Sequence, residues 1–307
     1  MPTPPRPAVP ASASGRVLGW VLLGLLVLGL GGTILLQVEK QPEYSPVARG
    51  AQLAETAGCY ACHGRGDGEK RFNLRQASAT EWAPKANPTF WDGQIMSAAT
   101  LTEWIANGVI ADEVEKHKKL FIRMPAYKDR LKPDEIDAIA AWILAEGLKF
   151  LQGTGQEVAA PKIAAGAALT GDQLLLAGDR LSRRHGCYQC HGELGQGGVP
   201  NPGSFKGYIP GFFGKDFLKL TANGDRAEIL HWIDHGRGKA IESGLTGGLA
   251  KRYIDGQATP MPGYRDQIPV AEKELLADFM LLLNKSGPLP AKEVERIVTL
   301  IDAAASN

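Results

Sequence analysis

Hydrophobic positions near the N-terminus form one uninterrupted stretch instead of a periodic pattern. Residues 17–36 are twenty residues without a charge, and at about 1.5 Å per residue a helix of this length spans about 30 Å. The stretch is longer than the apolar part of a signal peptide, and no A-x-A-like cleavage site follows it. The pattern predicts a transmembrane anchor at 17–37, preceded by a disordered cytoplasmic tail at 1–16 that is rich in Pro, Ala and Ser.

Charges on the two sides of this segment predict its orientation. Arg6 and Arg16 precede it, whereas Glu39, Lys40 and Glu43 follow it. Because positive charge is enriched on the cytoplasmic side of membrane segments, the N-terminus is expected in the cytoplasm and the remaining chain outside. In a bacterium this corresponds to a single-pass protein of the inner membrane that faces the periplasm.

Beyond the anchor, apolar residues recur at helical spacing in several segments. In the segment 133–147 an apolar stripe follows Pro133 and two acidic residues, which are typical of a helix start. Segments 46–58 and 172–186 are predicted helices that each lead into a cysteine motif. Two more helices are predicted at 270–283 and after Ala291.

Length and composition are those of a globular protein. A chain of 307 residues suffices for about two domains. The net charge of +1 and the lack of a binding motif argue against nucleic acid as a partner. All four cysteines fall in two short motifs, so none is left for a structural disulfide elsewhere.

These two cysteine motifs carry the candidate chemistry. The run CYACH at 59–63 recurs as CYQCH at 187–191. In C-x-x-C-H, two thiols form thioether bonds to one haem, and the histidine coordinates its iron. The motifs therefore predict two covalently bound c-type haems. The predicted cofactor-binding residues are Cys59, Cys62 and His63 for one haem and Cys187, Cys190 and His191 for the other.

Three other roles for the cysteines compete with haem attachment. Disulfides within the two C-x-x-C pairs would leave the adjacent histidines unexplained. A four-cysteine zinc site needs its two pairs closer together in the sequence than they are here. A thioredoxin-like redox motif expects a preceding strand and no histidine at this position. Haem attachment is the interpretation that uses every residue of the motif.

The motifs belong to a longer internal repeat. Cys187 follows Cys59 by 187 − 59 = 128 residues, and Trp104 and Trp232 keep that offset. The run MPAY at 124–127 recurs as MPGY at 261–264, at an offset of 261 − 124 = 137. The second copy therefore carries an insertion of 137 − 128 = 9 residues between its tryptophan and its methionine. The repeat predicts homologous domains at 46–150 and 172–286, a Gly/Ala-rich linker at 151–171 and a C-terminal helix or tail at 287–307.

Methionines of the repeat are the candidate second ligands of the two irons. Met124 and Met261 each precede a proline, which stiffens the loop, and each is followed by a predicted amphipathic helix. Met96 and Met280 are predicted to be core residues instead. Iron held by histidine and methionine has a raised reduction potential and no vacant position, which favours electron transfer over catalysis. The predicted iron ligands are His63, Met124, His191 and Met261.

Further residues give weaker indications. Trp104 and Trp232 are candidates for a haem propionate contact or for core packing. His117 lies in a charged run, and the other histidines lack a counterpart in the first copy, so none is expected to ligate iron; these are His185, His231 and His235. Basic residues before the methionines are candidates for steering an acidic redox partner: Lys116, Lys118, Lys119 and Arg123 in one copy and Lys239, Lys251 and Arg252 in the other.

Two C-x-x-C-H motifs, each followed by a tryptophan-bearing segment, an M-P-x-Y loop and a closing helix, resemble tandem class I cytochrome c domains. The resemblance covers roughly residues 46–149 and 172–285. It implies an all-α fold with two tandem cytochrome c-type haem domains after one N-terminal transmembrane helix. In that family a proline carbonyl commonly accepts the N–H of the proximal histidine, and the candidates are Pro84, Pro88, Pro200 and Pro202. The layout is also similar to that of the dihaem subunit of cbb3-type cytochrome oxidases.

Together these features predict a membrane-anchored dihaem electron carrier, alone or as a subunit of a respiratory or photosynthetic complex, and not itself an enzyme. The expected partners are redox proteins: a cytochrome c, a cupredoxin or a membrane oxidoreductase complex. A dihaem cytochrome c peroxidase is the alternative, and it needs one iron open to peroxide with an acid or base beside it. A gas or redox sensor is a third class, although the sequence contains no signalling domain.

Overall fold

The computed structural model describes residues 13–40, 43–63, 90–91, 94–115, 124–152, 169, 171–243 and 254–305. These residues are mostly helical, with two short pairs of strands, which confirms the helical class predicted from the sequence. The chain divides into two compact units, 1–42 and 43–307. The predicted linker at 151–171 and the predicted tail at 1–16 lie largely outside the described residues.

The first unit contains helix α1, Ala13–Lys40. Its side chains are described at residues 20–33, and those from Trp20 to Leu30 are exposed. Trp20 and Leu28, for example, are each 73% exposed. Within the part of the chain that the structure describes, no helix is long and apolar enough to cross a membrane.

The second unit contains the remaining elements in two successive groups. The first group is α2 (Pro46–Thr56), α3 (Cys59–His63), β1 (Phe90–Trp91), β2 (Gln94–Ile95), α4 (Ala98–Asn107), a 3₁₀ turn (Ala111–Glu113) and α5 (Pro133–Gln152). The second group is α6 (Gly171–Arg184), α7 (Cys187–His191), a 3₁₀ turn (Glu193–Gly195), β3 (Val199–Pro200), β4 (Tyr208–Ile209), α8 (Gly214–Leu220), α9 (Arg226–His235), α10 (Lys239–Glu242) and α11 (Val270–Ser286). Helix α12 (Ala291–Ala305) follows both groups. Strands β1 and β2 pair antiparallel, as do β3 and β4.

Local sequence signals explain where the helices begin and end. The Ser45 hydroxyl accepts a hydrogen bond from the Ala48 N–H at 3.0 Å, and Pro46 occupies the first helical position of α2. Ser97 caps α4 in the same way, and Gly108 ends that helix in the left-handed conformation. Every predicted helix of the second unit is found, although the one predicted at 133–147 continues to Gln152.

Each half of the second unit is built on one close crossing of two helices. Helix α2 packs on α5, and α6 packs on α11. A Cβ atom on Gly50 would lie 2.0 Å from the Ala138 carbonyl oxygen, and one on Gly178 would lie 2.1 Å from the Phe279 ring. The two glycines are 178 − 50 = 128 residues apart. Glycines at equivalent positions of the sequence repeat therefore lie where the two helices of each half come closest.

The C-terminal helix α12 joins the two halves. It packs on α4 and α5 of the first half and on α6 of the second. Ile297, on its apolar side, is 1% exposed. A Glu295 carboxylate oxygen accepts the N–H of Ala98 at 3.0 Å, and Arg296 pairs with Asp172 at 3.0 Å. One continuous core thus runs through both halves, while the predicted domain boundaries stay a prediction.

Candidate functional site

The second cysteine motif forms the short helix α7. Cys187, Cys190 and His191 are spaced i, i+3 and i+4, so they lie on one side of this helix. Gly186 before the motif and Gly192 after it both have positive φ, at 71° and 72°, which lets the chain turn sharply on either side. All four cysteines of the chain are free thiols. Both thiols of each motif are therefore available for a covalent bond.

A backbone carbonyl fixes the tautomer of His191. Its Nδ1 atom lies 2.9 Å from the Pro210 carbonyl oxygen, and because a carbonyl only accepts, Nδ1 carries the proton. Burial lowers the pKa of His191, and the bond to Pro210 partly offsets this. The imidazole is therefore neutral near pH 7, and its Nε2 lone pair is free for a metal. The Phe212 ring lies against it, with 4.8 Å between ring centroids.

Sequence reasoning missed the proline that holds this histidine. Pro200 and Pro202 were the candidates in the second half, and the structure shows Pro210 instead. Pro200 is part of β3, which pairs with β4, and Pro210 directly follows β4. The strand pair thus decides which proline reaches the imidazole, and no local signal in the sequence marks it. Pro84 and Pro88 lie outside the described residues.

The first cysteine motif forms the short helix α3. Tyr60, between its two cysteines, meets Trp142 of α5 edge to face, with centroids 5.7 Å apart, and this contact holds α3 on the core. Cys62 is exposed, whereas Cys59 is half-buried. Burial raises the pKa of the Cys59 thiol, although hydrogen bonds from its own backbone N–H and from Tyr127 oppose the shift. Burial likewise raises the pKa of Cys187, to about 11.

The two M-P-x-Y loops dock in the same way on the ends of α4 and α9. The Tyr127 N–H donates to the Ile105 carbonyl at 3.1 Å, and the Tyr264 N–H donates to the Ile233 carbonyl at 2.8 Å. At the end of each helix is a glycine with positive φ, Gly108 or Gly236. A Cβ atom there would lie 2.3 Å or 2.2 Å from the carbonyl oxygen of the loop methionine. Met124 and Met261 are consequently both held against a helix end, and both are partly buried.

Each loop also lies beside the cysteine motif of its own half. The Tyr127 hydroxyl donates to the Ala57 carbonyl at 3.2 Å and also contacts Cys59. In the second half, burial and then the charges of Cys187 and Cys190 raise the pKa of Tyr264. The structure therefore brings the C-x-x-C-H and M-P-x-Y segments together in both halves.

Most of the weaker candidates do not join these sites. The Trp232 indole N–H donates to the Leu220 carbonyl at 2.7 Å, so at Trp232 a backbone acceptor takes the place suggested for a propionate, whereas the role of Trp104 stays a prediction. Met96 and Met280 are 8% and 6% exposed in the core, which confirms their predicted role. His185 lies 2.8 Å from Glu272. Lys239 is exposed and described, whereas the remaining basic candidates and His117 lie outside the described residues; these are Lys116, Lys118, Lys119, Arg123, Lys251 and Arg252.

Comparison with known families agrees with the first of the two sites. The family model Cytochrome c matches residues 47–145, a range that contains the CYACH motif and the MPAY loop. This segment is therefore similar to a Cytochrome c domain, which supports a c-type cytochrome and an electron-transfer haem protein. The family implies covalently bound haem c with its iron. Neither a curated protein nor a solved structure is significantly similar to the chain.

The described residues fit such a group. Free thiols at Cys187 and Cys190 share a helix side with an imidazole whose Nε2 lone pair is unprotonated. The fit would be poor if a disulfide closed the pair or if the histidine offered only N–H donors. When bound, haem c supplies an iron that gains and loses one electron.

Proposed function

We propose that the protein is a membrane-anchored dihaem c-type cytochrome that carries single electrons between redox partners in the periplasm. Cys59 and Cys62 would hold one haem, with His63 and Met124 as iron ligands. Cys187, Cys190, His191 and Met261 would have the same roles at the other haem. The partners would be a soluble cytochrome c, a cupredoxin or a membrane oxidoreductase complex.

One observation carries this proposal: in each half, an M-P-x-Y loop is docked beside a C-x-x-C-H helix. Tyr127 joins the first loop to the Cys59 helix, and Tyr264 lies within electrostatic reach of Cys187 and Cys190. A methionine in such a loop starts from a fixed backbone position, because its carbonyl rests against Gly108 or Gly236. A rigid ligand changes little when the iron changes charge, and this favours rapid electron exchange over substrate binding.

Haem stoichiometry tests the number of sites. The protein isolated from cells is expected to contain two covalent haems per chain, and the double variant Cys187→Ala, Cys190→Ala is expected to retain one. The double variant Cys59→Ala, Cys62→Ala should also retain one. A single haem in the unmodified protein would contradict the proposal.

Carbon monoxide binding tests the methionine ligands. The reduced protein should bind little carbon monoxide under mild conditions, whereas Met124→Ala and Met261→Ala should each open one iron to it. Met280→Leu is the matched control, because Met280 is a core residue and its replacement should change nothing at either iron. An iron that is open in the unmodified protein, together with peroxide turnover, would favour the peroxidase alternative.

The anchor proposal rests on the exposed apolar surface of α1. Nine large apolar side chains between Trp20 and Leu30 are exposed by 50% or more, and a surface of this kind needs an apolar environment. We place residues 17–37 in the bacterial inner membrane, with the haem domains on the periplasmic side, because of the charge asymmetry around the helix.

Membrane fractionation tests the anchor. The full chain is expected to stay with the membrane after an alkaline carbonate wash, and a variant lacking residues 1–42 with a cleavable export signal in their place is expected to be released. The haem content of that variant should be unchanged, because residues 43–307 form their own compact unit. Recovery of the full chain in the soluble fraction would overturn the anchor.

A further inference from the structure

Two histidines and a glutamate converge at a place that the haem sites do not use. His231 and His235 are one turn apart on α9, and their rings stack with centroids 4.1 Å apart. Glu242 of α10 lies opposite them, 2.8 Å from Nε2 of His231 and 3.5 Å from Nδ1 of His235. One ligand atom from each of the three residues lies within 4.8 Å of the others.

We propose that these three residues bind a divalent transition-metal ion, for which Zn²⁺ is the probe. Nitrogen and carboxylate ligands at about 2.0–2.2 Å around one tetrahedral Zn²⁺ lie about 3.3–3.6 Å apart. The separation from Glu242 to His235, 3.5 Å, lies within this range, whereas the separation from Glu242 to His231, 2.8 Å, is shorter, so these two side chains must move apart slightly to admit the ion. Histidines at i and i+4 on one helix are a recurrent zinc-binding pair. A water molecule would occupy the fourth coordination position of the ion.

The orientation of His231 agrees with a shared ion better than with a direct hydrogen bond. Its Nε2 atom is buried and has no hydrogen-bond partner, although a Glu242 oxygen lies only 2.8 Å away. That oxygen therefore lies off the direction in which the imidazole donates or accepts. Two ligands of one metal ion are arranged in this way, because the ion lies along the lone pair of the imidazole nitrogen and the carboxylate oxygen lies to the side of that direction.

Glu242 is held near α9 by the start of its own helix. The Lys239 N–H donates to a Glu228 carboxylate oxygen at 2.8 Å, and this bond ties the first turn of α10 to α9. The side chains of His231 and His235 are 16% and 21% exposed, whereas Glu242 is 45% exposed. The site is thus partly enclosed, with an entry path for an ion on the glutamate side.

The site belongs only to the second half of the chain. At the repeat offset, His231 corresponds to Glu103 and His235 to Asn107. At the same offset Glu242 corresponds to Val114, directly after the 3₁₀ turn of the first half. None of the three ligands therefore has an equivalent residue in the first copy. Gly236, which packs on the Met261 backbone, follows His235 directly.

Arg265 competes with the ion for His235. Its guanidinium lies 2.7 Å from Nε2 of His235, and because arginine only donates, Nε2 accepts and Nδ1 holds the proton. Coordination through Nδ1 requires that proton to move to Nε2 and the exposed arginine to turn away. Removing the guanidinium should therefore strengthen metal binding instead of weakening it.

Calorimetric titration of the full chain in mild detergent with Zn²⁺ tests the site. The untagged protein, isolated with its haem content intact, is expected to take up one Zn²⁺ in a saturable step. His231→Ala and Glu242→Gln should each weaken binding about 100-fold or more. Arg265→Gln should tighten it. His185→Ala is the matched control, since His185 also faces a glutamate at 2.8 Å, Glu272, but without a second histidine.

Two results would overturn the proposal. One is the lack of saturable uptake by the unmodified protein, which would leave the cluster as a set of ion pairs. The other is uptake that persists in both His231→Ala and Glu242→Gln, which would locate the ion elsewhere. Circular dichroism of each variant is compared with that of the parent. If His231→Ala does not fold, the more exposed Glu242→Gln and the titration of the unmodified protein still decide the question.

Discussion

At the scale of single residues, a buried ion cluster borders the second cysteine motif. Arg183 contacts Asp179 at 3.1 Å and Glu193 at 2.9 Å, and all three side chains are at most 13% exposed. Burial disfavours the charge on Arg183, but the two carboxylates outweigh burial and raise the pKa of the guanidinium. Arg183 also covers the ring of Tyr188, a residue of the motif, at 5.0 Å from its centroid. The cluster therefore holds α7 in position through the contact between Arg183 and Tyr188.

We predict that Arg183→Met destabilises the protein by about 3–5 kcal/mol, because it removes the counter-charge of two buried carboxylates. Arg226→Met is the control: Arg226 pairs with Asp278 at the surface, with side chains 40% and 45% exposed, and its loss should cost about 0–1 kcal/mol. Denaturant unfolding of both variants measures the difference. Equal losses in the free energy of unfolding of the two variants would show that burial does not determine how much these ion pairs stabilise the protein.

At the scale of elements, the two helix crossings depend on the absence of a side chain. Gly50 faces backbone atoms of α5, and Gly178 faces the Phe279 ring of α11. A ring can shift slightly, whereas a helix backbone moves only if the whole element moves. The crossing of α2 with α5 is therefore less tolerant of an added side chain than the crossing of α6 with α11. Because α3 follows α2 directly, that crossing also positions the first cysteine motif.

We predict that Gly50→Ala lowers the free energy of unfolding by about 1–3 kcal/mol or more, since the new methyl group would overlap the Ala138 carbonyl. Gly171→Ala is the matched control, because a Cβ atom there has nothing within 4 Å, and it should change stability by about 0.5 kcal/mol or less. Thermal unfolding of the two variants compares them. An undiminished melting temperature for Gly50→Ala would contradict the close crossing.

At the scale of the whole molecule, residues 43–307 form one compact unit although their sequence is a repeat. The start of the first half also contacts the second half, since Tyr44 packs on Tyr208 with ring centroids 5.5 Å apart. The Leu289 N–H donates to a Gln196 oxygen at 3.1 Å just before α12. Helix α12 then covers both halves. Such shared packing couples the stability of the two halves.

We therefore predict one cooperative thermal transition for residues 43–307, with equal calorimetric and van't Hoff enthalpies. Ile297→Ala should lower the stability of the whole unit by about 2–5 kcal/mol while keeping a single transition. Lys292→Ala, on the exposed side of α12, should leave it unchanged within about 0.5 kcal/mol. Two resolved transitions would indicate halves that unfold separately.

The sequence by itself was sufficient for the helices of the second unit and for the class of c-type cytochrome that the family match supports. The patterns used were local: the spacing of cysteine and histidine on one helical turn, proline at helix starts, and apolar stripes. Local patterns can be recognised from the sequence without knowledge of the tertiary structure. The repeat offsets correctly paired Trp104 with Trp232, each of which lies on a helix whose end receives the loop of Met124 or Met261.

Only the tertiary structure decided contacts between segments far apart in the chain. The His191 imidazole donates to the carbonyl of Pro210 and not to that of Pro200. The Trp232 indole N–H donates to the Leu220 carbonyl. His231, His235 and Glu242 lie close together. The physical reason is that the two heavy atoms of a hydrogen bond must lie within about 3.2 Å of each other, and the ligand atoms of one metal ion within about 3.6 Å. These distances depend on how helices and strand pairs pack, which spacing along the chain does not encode.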